Sequence, residues 1–162
     1  MKTIITLLDK VHQHLLRATA VLQHPFLLAL RLYWGYDFFQ TGLGKLNNLE
    51  RTTEFFASLQ IPFPAVNAVF VGSLELVGGI LLVLGLASRY ITVPLIVSLC
   101  VAYATDEKEA LMHLFDDPNQ FVTATPFLHL LASLTVFVFG AGAISLDAFI
   151  DRWWRRKMSA LL

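Results

Sequence analysis

Glu75 stands inside "VGSLELVGGILLVLGL", residues 71–86, a run apolar enough to dissolve in hydrocarbon. An ionised side chain at the centre of a bilayer costs about 2.5 kcal/mol or more. Such a group faces a protein partner, faces a water-filled cavity, or carries a proton. Ala68, Gly72, Gly79 and Leu82 fall close to the same helical face, and small residues at that spacing let a second backbone approach. Glu75 is therefore expected to point into a bundle and away from lipid. Asp37 and His129 are two further acid–base groups inside apolar runs. With Glu75 they are the candidates for catalytic proton transfer. Candidate ligand contacts stand on the same polar stripes. Arg31, Trp34 and Lys45 share a broad face with Asp37 and Thr41, and Ser133 follows Thr125 and His129 at steps of four. Arg31 is expected to form an ion pair with Glu75 or with Asp37. Counted inward from the outer ends of their helices, His129, Asp37 and Glu75 lie about 10, 12 and 16 Å deep, so they could converge.

The elements that must carry these groups follow from hydropathy. Apolar residues make up 56% of the 162-residue chain and charged residues only 15%, where a soluble globule has about a quarter. A spanning helix needs about 20 mostly apolar residues. Four stretches qualify: Pro25 to Leu43, Pro64 to Leu86, Tyr90 to Thr105 with a kink expected near Pro94, and Val122 to Leu146. The fold class expected is all-α, a membrane four-helix bundle.

Loop charges test that map independently, because cytoplasmic loops are enriched in Lys and Arg. With four spans, one side holds eight basic residues: Lys2, Lys10, Arg17, Arg89, Arg152, Arg155, Arg156 and Lys157. The other side holds three, Lys45, Arg51 and Lys108, among seven acidic residues. The imbalance places both termini in the cytoplasm and the protein in the inner membrane. Formal net charge is zero, so nothing argues for nucleic acid.

Two segments flank the spans. Ile4, Leu8, Val11, Leu15, Ala18 and Leu22 step by four and three, which puts them on one stripe of a helix. Residues 1–24 are expected to be an amphipathic interfacial helix on the inner leaflet; the apolar stretch after Lys2 is too short for a signal peptide. Residues 25–148 are the bundle. Residues 149–162 are a basic cytoplasmic tail with Trp153 and Trp154 as interfacial anchors. Between the first two spans, Thr52 or Thr53 is expected to cap a short helix bearing Phe55, Phe56 and Leu59. Cys100, the single cysteine, is expected to be a buried inert thiol.

Some chemistry is not expected. Haem between helices needs a facing ligand pair, and only His129 lies clearly within a span. There is no dinucleotide fingerprint, and "GLGK" at 42–45 lacks the spacing of a phosphate loop. No metal, haem, nicotinamide or flavin site is expected. "GAGAISLD" at 140–147 reads as a close backbone turn.

Three stretches carry a resemblance. "LRLYWGYDFFQTGLGKL", "GSLELVGGILLVLGLASR" and "GAGAISLD" resemble the DoxX-like family of bacterial integral membrane proteins over roughly residues 28 to 148. Arg31, Lys45, Glu75 and Arg89 match the family pattern. The resemblance implies a four-helix inner-membrane protein related to oxidoreductase subunits, some linked to quinone. The function expected is a membrane subunit of a quinone-linked system, binding quinone or a similar small apolar ligand in the polar pocket. A soluble redox partner would supply electrons. Alternatives are small-solute binding or transport, with homo-oligomers to make up for few spans, and a membrane anchor for the soluble partner.

Overall fold

The computed structural model describes residues 2–159. Position 1, the side chains of Lys2 and Ile4 in the charge count and the amphipathic stripe, and the end of the basic tail at 160–162 lie outside the described residues. All regular elements among the described residues are helical: α1 (Lys2–Asn47), α2 (Leu49–Ser58), α3 (Pro64–Leu84), α4 (Ser88–Thr105), α5 (Lys108–Met112), α6 (Pro118–Thr123), α7 (Pro126–Phe139) and α8 (Leu146–Ser159). The longer ones touch in cyclic order: α1 on α3, α3 on α4, α4 on α7 and α7 on α1. Two of them, α3 and α4, are long and apolar enough to cross a membrane.

The packing is inverted relative to a soluble protein. Arg31, Glu75, Ser88, Thr92 and Ser133 are buried, while Val69, Phe70, Val77 and Ile80 of α3 and Val93, Val97 and Val101 of α4 face outward. An apolar exterior of that extent is what acyl chains would solvate. Inside, Phe38, Leu82, Leu95, Leu99 and Val136 form one apolar cluster.

Glycines bring α1 and α3 together. A Cβ on Gly42 would lie 2.7 Å from the Gly72 carbonyl oxygen and 2.9 Å from the Glu75 carbonyl carbon, and closer still to the Leu76 nitrogen. A Cβ on Gly79 would strike the Gly35 oxygen and the Phe39 nitrogen. Helix propensity favours Ala over Gly by about 1 kcal/mol. Overpacking costs about 1–3 kcal/mol, and here the blocking atoms are backbone, which cannot rotate aside. Gly42→Ala is therefore expected to lower the thermal unfolding midpoint in detergent, whereas Gly44→Ala, which meets nothing within 4 Å, is expected to raise it or leave it unchanged.

Several boundaries differ from the sequence-based expectation, each for a local reason. Residues 2–47 form one helix that does not break at Pro25. Gly85, at φ +68°, ends α3 in the left-handed conformation, with Leu86 N–H donating to the Leu81 oxygen at 2.9 Å. α2 starts before Thr52, at Leu49, because Asn48 still donates back to the Gly44 oxygen. Neither expected threonine caps it: the Thr52 hydroxyl donates to the Asn48 carbonyl at 2.9 Å. The last apolar stretch is not one helix. Ala124 is extended between α6 and α7, and α7 stops at Gly140, where Gly140 and Gly142 both take φ +77°. Cys100 is exposed, because α4 buries Thr92, Leu95, Leu99 and Tyr103 and Cys100 projects away from that stripe.

Candidate functional site

A cavity of about 240 Å³ lies between α1, α2, α3, α4 and the start of α7. Each helix contributes residues at steps of three and four, so one face of each lines it. α1 supplies Phe38, Thr41 and Lys45, α3 supplies Asn67, Val71 and Glu75, and α4 supplies Ser98, Leu99 and Ala102. α2 lies across one end with Phe55, Phe56 and Leu59, and His129 enters from α7. The walls are mostly apolar, with a few polar groups aimed inward, which is the general make-up of small-molecule sites.

Two polar pairs face this space. Lys45 Nζ donates to Glu75 Oε2 at 2.5 Å, with the side chains 28% and 12% exposed. Lys45 sits in the last turn of α1, and its flexible stem lets the ammonium reach back to the carboxylate. His129 Nε2 lies 2.6 Å from Asp37 Oδ2. With Asp37 ionised, that nitrogen carries the proton and donates it. The imidazole is held between the edges of Trp34, at 4.7 Å between ring centroids, and Phe38, at 4.8 Å. The His129 side chain is 13% exposed and that of Asp37 46%. The dyad thus runs from the cavity wall to the outer surface of the bundle.

Arg31 belongs elsewhere, and the ion pair expected for it with Glu75 or Asp37 does not form. It is 1% exposed, and Nη1 donates to the Leu82 carbonyl at 3.2 Å while Nη2 donates to the Ile144 carbonyl at 2.6 Å. The guanidinium reaches toward the Arg89 end of the bundle and fills the two carbonyls where α3 ends and the 140–145 segment turns. Lys45 takes the place beside Glu75 instead. The same end holds a second tie. The Asp147 carboxylate accepts from the backbone N–H groups of Ala87 at 2.8 Å and Ser88 at 3.1 Å, capping the N-terminus of α4, where anionic charge is favoured. A side chain at position 85 would collide with Arg31 and Ser145.

The structure therefore brings together Glu75, Lys45 and His129 at the cavity, with Asp37 and Trp34 behind the imidazole. It separates Arg31 from them. Ser133 is 1% exposed, one helical turn beyond His129, and its hydroxyl has no hydrogen-bond partner among the described residues; it does not line the cavity. Sequence reasoning expected the short helix bearing Phe55, Phe56 and Leu59 but missed its role as a roof, and it missed the Asn67 wall and the Asp147 cap. The Phe55–Phe56 pair on an otherwise polar helix was the signal for the first.

Comparisons with known proteins place the chain among relatives. The family model described as DoxX matches residues 26–114. A Bacillus subtilis protein named "Putative oxidoreductase CatD" is 32% identical over 123 residues, covering 76% of this chain and 85% of the relative. A Haemophilus influenzae protein named only as uncharacterized is 27% identical over 136 residues, covering 81% of this chain and 87% of its own. No solved structure gives a significant match.

Proposed function

Since this chain belongs to the DoxX family, a family of membrane proteins, we propose that it is a multi-pass inner-membrane component of an oxidoreductase system that binds quinone, or a similar small apolar ring, in the cavity beneath α2. α1, α3, α4 and α7 cross the bilayer with both termini in the cytoplasm. The loop charge imbalance supports that orientation, and so does the grouping of Arg89 and Arg152 at one end. Arg89 donates to the Val138 carbonyl and Arg152 to the Ala143 carbonyl.

One observation carries the proposal: proton-handling groups stand on different walls of a mostly apolar slot that Phe38, Phe55 and Phe56 help to line, with Asp106 and a few hydroxyl and amide groups also at its walls. At about 240 Å³ the slot has room for a ring and no room for a long tail, so a tail would leave between the helices. A quinone held there would supply two-electron, two-proton chemistry, with a soluble redox partner as the electron source. This chain's own residues do the remaining work. The aromatic walls exclude water and orient the ring. Lys45, held by Glu75, presents an N–H donor at one wall. His129 holds a proton at the other, and Asp37 links that proton to the bundle surface. The Bacillus subtilis relative's name is in keeping with a redox role.

Titration of the purified protein with a short-chain quinone is expected to give saturable binding, followed by quenching of Trp34 fluorescence. Glu75→Gln, which releases the Lys45 donor from its place, is expected to weaken binding about tenfold, the equivalent of about 1.4 kcal/mol. Linear, unsaturable quenching, or an unchanged affinity in Glu75→Gln, would refute the assignment. A membrane-anchor role is favoured by one separate feature: α8 carries Arg152, Arg155, Arg156 and Lys157 on an exposed helix, a surface suited to a soluble acidic partner.

A further inference from the structure

From residue 8 to residue 23 every position of α1 is exposed, so nothing in the described chain covers that stretch. Residues 2–24 span about 34 Å at 1.5 Å per residue. Over residues 8–23 this helix has no partner among the described residues, whereas helices in proteins draw most of their stability from packing an apolar face. Five of its apolar positions share one stripe, with Leu16, Ala20 and Val21 off it. Leu8, Val11, Leu15, Ala18 and Leu22 alternate steps of three and four, which is the 3.5-residue repeat of a coiled-coil seam. The same repeat runs on through the apolar half of α1. Ala29, Leu32 and Tyr36 keep the spacing, and all three are exposed. The bundle occupies another face of the helix, burying Leu27, Arg31, Gly35, Phe38 and Gly42. One unbroken helix thus offers one continuous free seam on both sides of Pro25.

We propose that this seam is occupied by α1 of a second copy of the chain, making a parallel homodimer. Three observations select a second copy over a lipid surface or a different protein. First, a helix lying flat on a leaflet must turn out of line with its span. α1 instead continues without a break past Pro25, and the seam keeps its register across it. Second, the positions flanking the seam, which meet across a two-stranded coil, hold no Asp, Glu, Lys or Arg between His12 and Gly35. Asp9, Lys10 and Arg17 stand off the seam, so like-with-like pairing meets no repulsion, whereas a charged partner would find no complement. Third, two copies inserted the same way in a membrane have parallel α1 helices, the orientation this pairing needs.

The pairing also removes an anomaly. Gln40 donates to the Tyr36 hydroxyl at 2.6 Å, and Asp37 is half-exposed beside them, all on the free side of an apolar segment. Polar groups there are costly against acyl chains. A second α1 shields them from acyl chains. The inference does not depend on what the cavity binds.

Cysteine cross-linking of the full chain in native membranes tests it. In a Cys100→Ser background, Leu15→Cys and Leu22→Cys place a thiol on the seam, and Gln13→Cys and Ala20→Cys place one on the opposite face. A mild thiol oxidant is expected to convert the seam variants to a species of twice the chain mass, severalfold more completely than the off-seam variants. Equal conversion on both faces, no conversion on the seam, or a product of any other mass would overturn the dimer. Leu15→Glu with Leu22→Glu is expected to abolish the dimer seen by light scattering in detergent without loss of helical circular dichroism. A double variant that stays dimeric also overturns it. A lipid-lying helix would show itself as seam-restricted lipid labelling with a monomeric mass, and that outcome counts against the proposal.

Discussion

Arg31→Met is expected to be the most damaging single substitution in the chain. It removes two charge-assisted hydrogen bonds, one to the buried Leu82 carbonyl and one to the part-buried Ile144 carbonyl. Bonds of this kind contribute about 1.5–3 kcal/mol each, so the loss is about 3–6 kcal/mol. That is a large share of the whole stability of a domain this size. The damage is not confined to one helix, because the Leu82 carbonyl belongs to α3 and the Ile144 carbonyl to the turn before α8. Arg31→Lys is expected to recover less than half of the loss. A single ammonium lacks the planar fork that serves two carbonyls on separate segments. Thermal unfolding in detergent, followed by tryptophan fluorescence, measures both variants. An Arg31→Met protein within about 1 kcal/mol of the parent would show that the guanidinium does not tie these segments.

Lys45→Met is expected to be next. In the proposed topology it leaves Glu75 unpaired inside an apolar bundle, where a carboxylate costs about 2.5–3.5 kcal/mol. Adding Glu75→Leu should restore most of that stability, because an apolar pair fills a similar volume without a charge to desolvate. The cycle separates two roles for the pair. If it serves only to fix the helices, the double variant regains stability and loses nothing else. If it also serves the cavity, the double variant folds like the parent and no longer binds quinone. A double variant less stable than Lys45→Met alone would refute the coupling between the two residues, which the 2.5 Å contact requires.

The parts of this fold legible in sequence were those set by a single physical rule. α3 was legible because Pro64 opens it and apolar composition, broken only by Asn67, Ser73 and Glu75, runs to Gly85. The inward direction of Glu75 was legible from Gly72 and Gly79, whose lack of a side chain has no purpose on a lipid face. The ends of α7 were legible in part: "GAGAISLD" read as a close backbone turn, as the structure has it, but the span was drawn from Val122 through to Leu146. Hydropathy stays high through "FVFGAGAISL", and the positive φ of Gly140 and Gly142 shows that the helix has ended.

The site was legible in its members more than in its pairings. Helical periodicity put Asp37 and Glu75 on inward stripes, but it cannot say which cation reaches which acid. Arg31 is a closer match in charge delocalisation and Lys45 in position. The outcome was decided by unfilled carbonyls near Gly85 and Ile144, groups that exist only once the chain has turned there. His129 with Asp37 joins positions 92 residues apart; depth counting put them at similar levels, but one span's periodicity could not name them as partners.

The short length of α7 has a consequence for the surrounding membrane. Fourteen residues rise about 21 Å, against a hydrocarbon thickness of about 30 Å. In the proposed topology, the rest of that crossing is the non-helical 140–145 segment, whose backbone is satisfied by side chains of Arg31, Arg152 and His24. Lipids beside α7 would meet a shallower greasy wall than lipids beside α3. The bilayer should dimple on that flank, drawing in shorter acyl chains and giving the protein a preference for thin membrane regions.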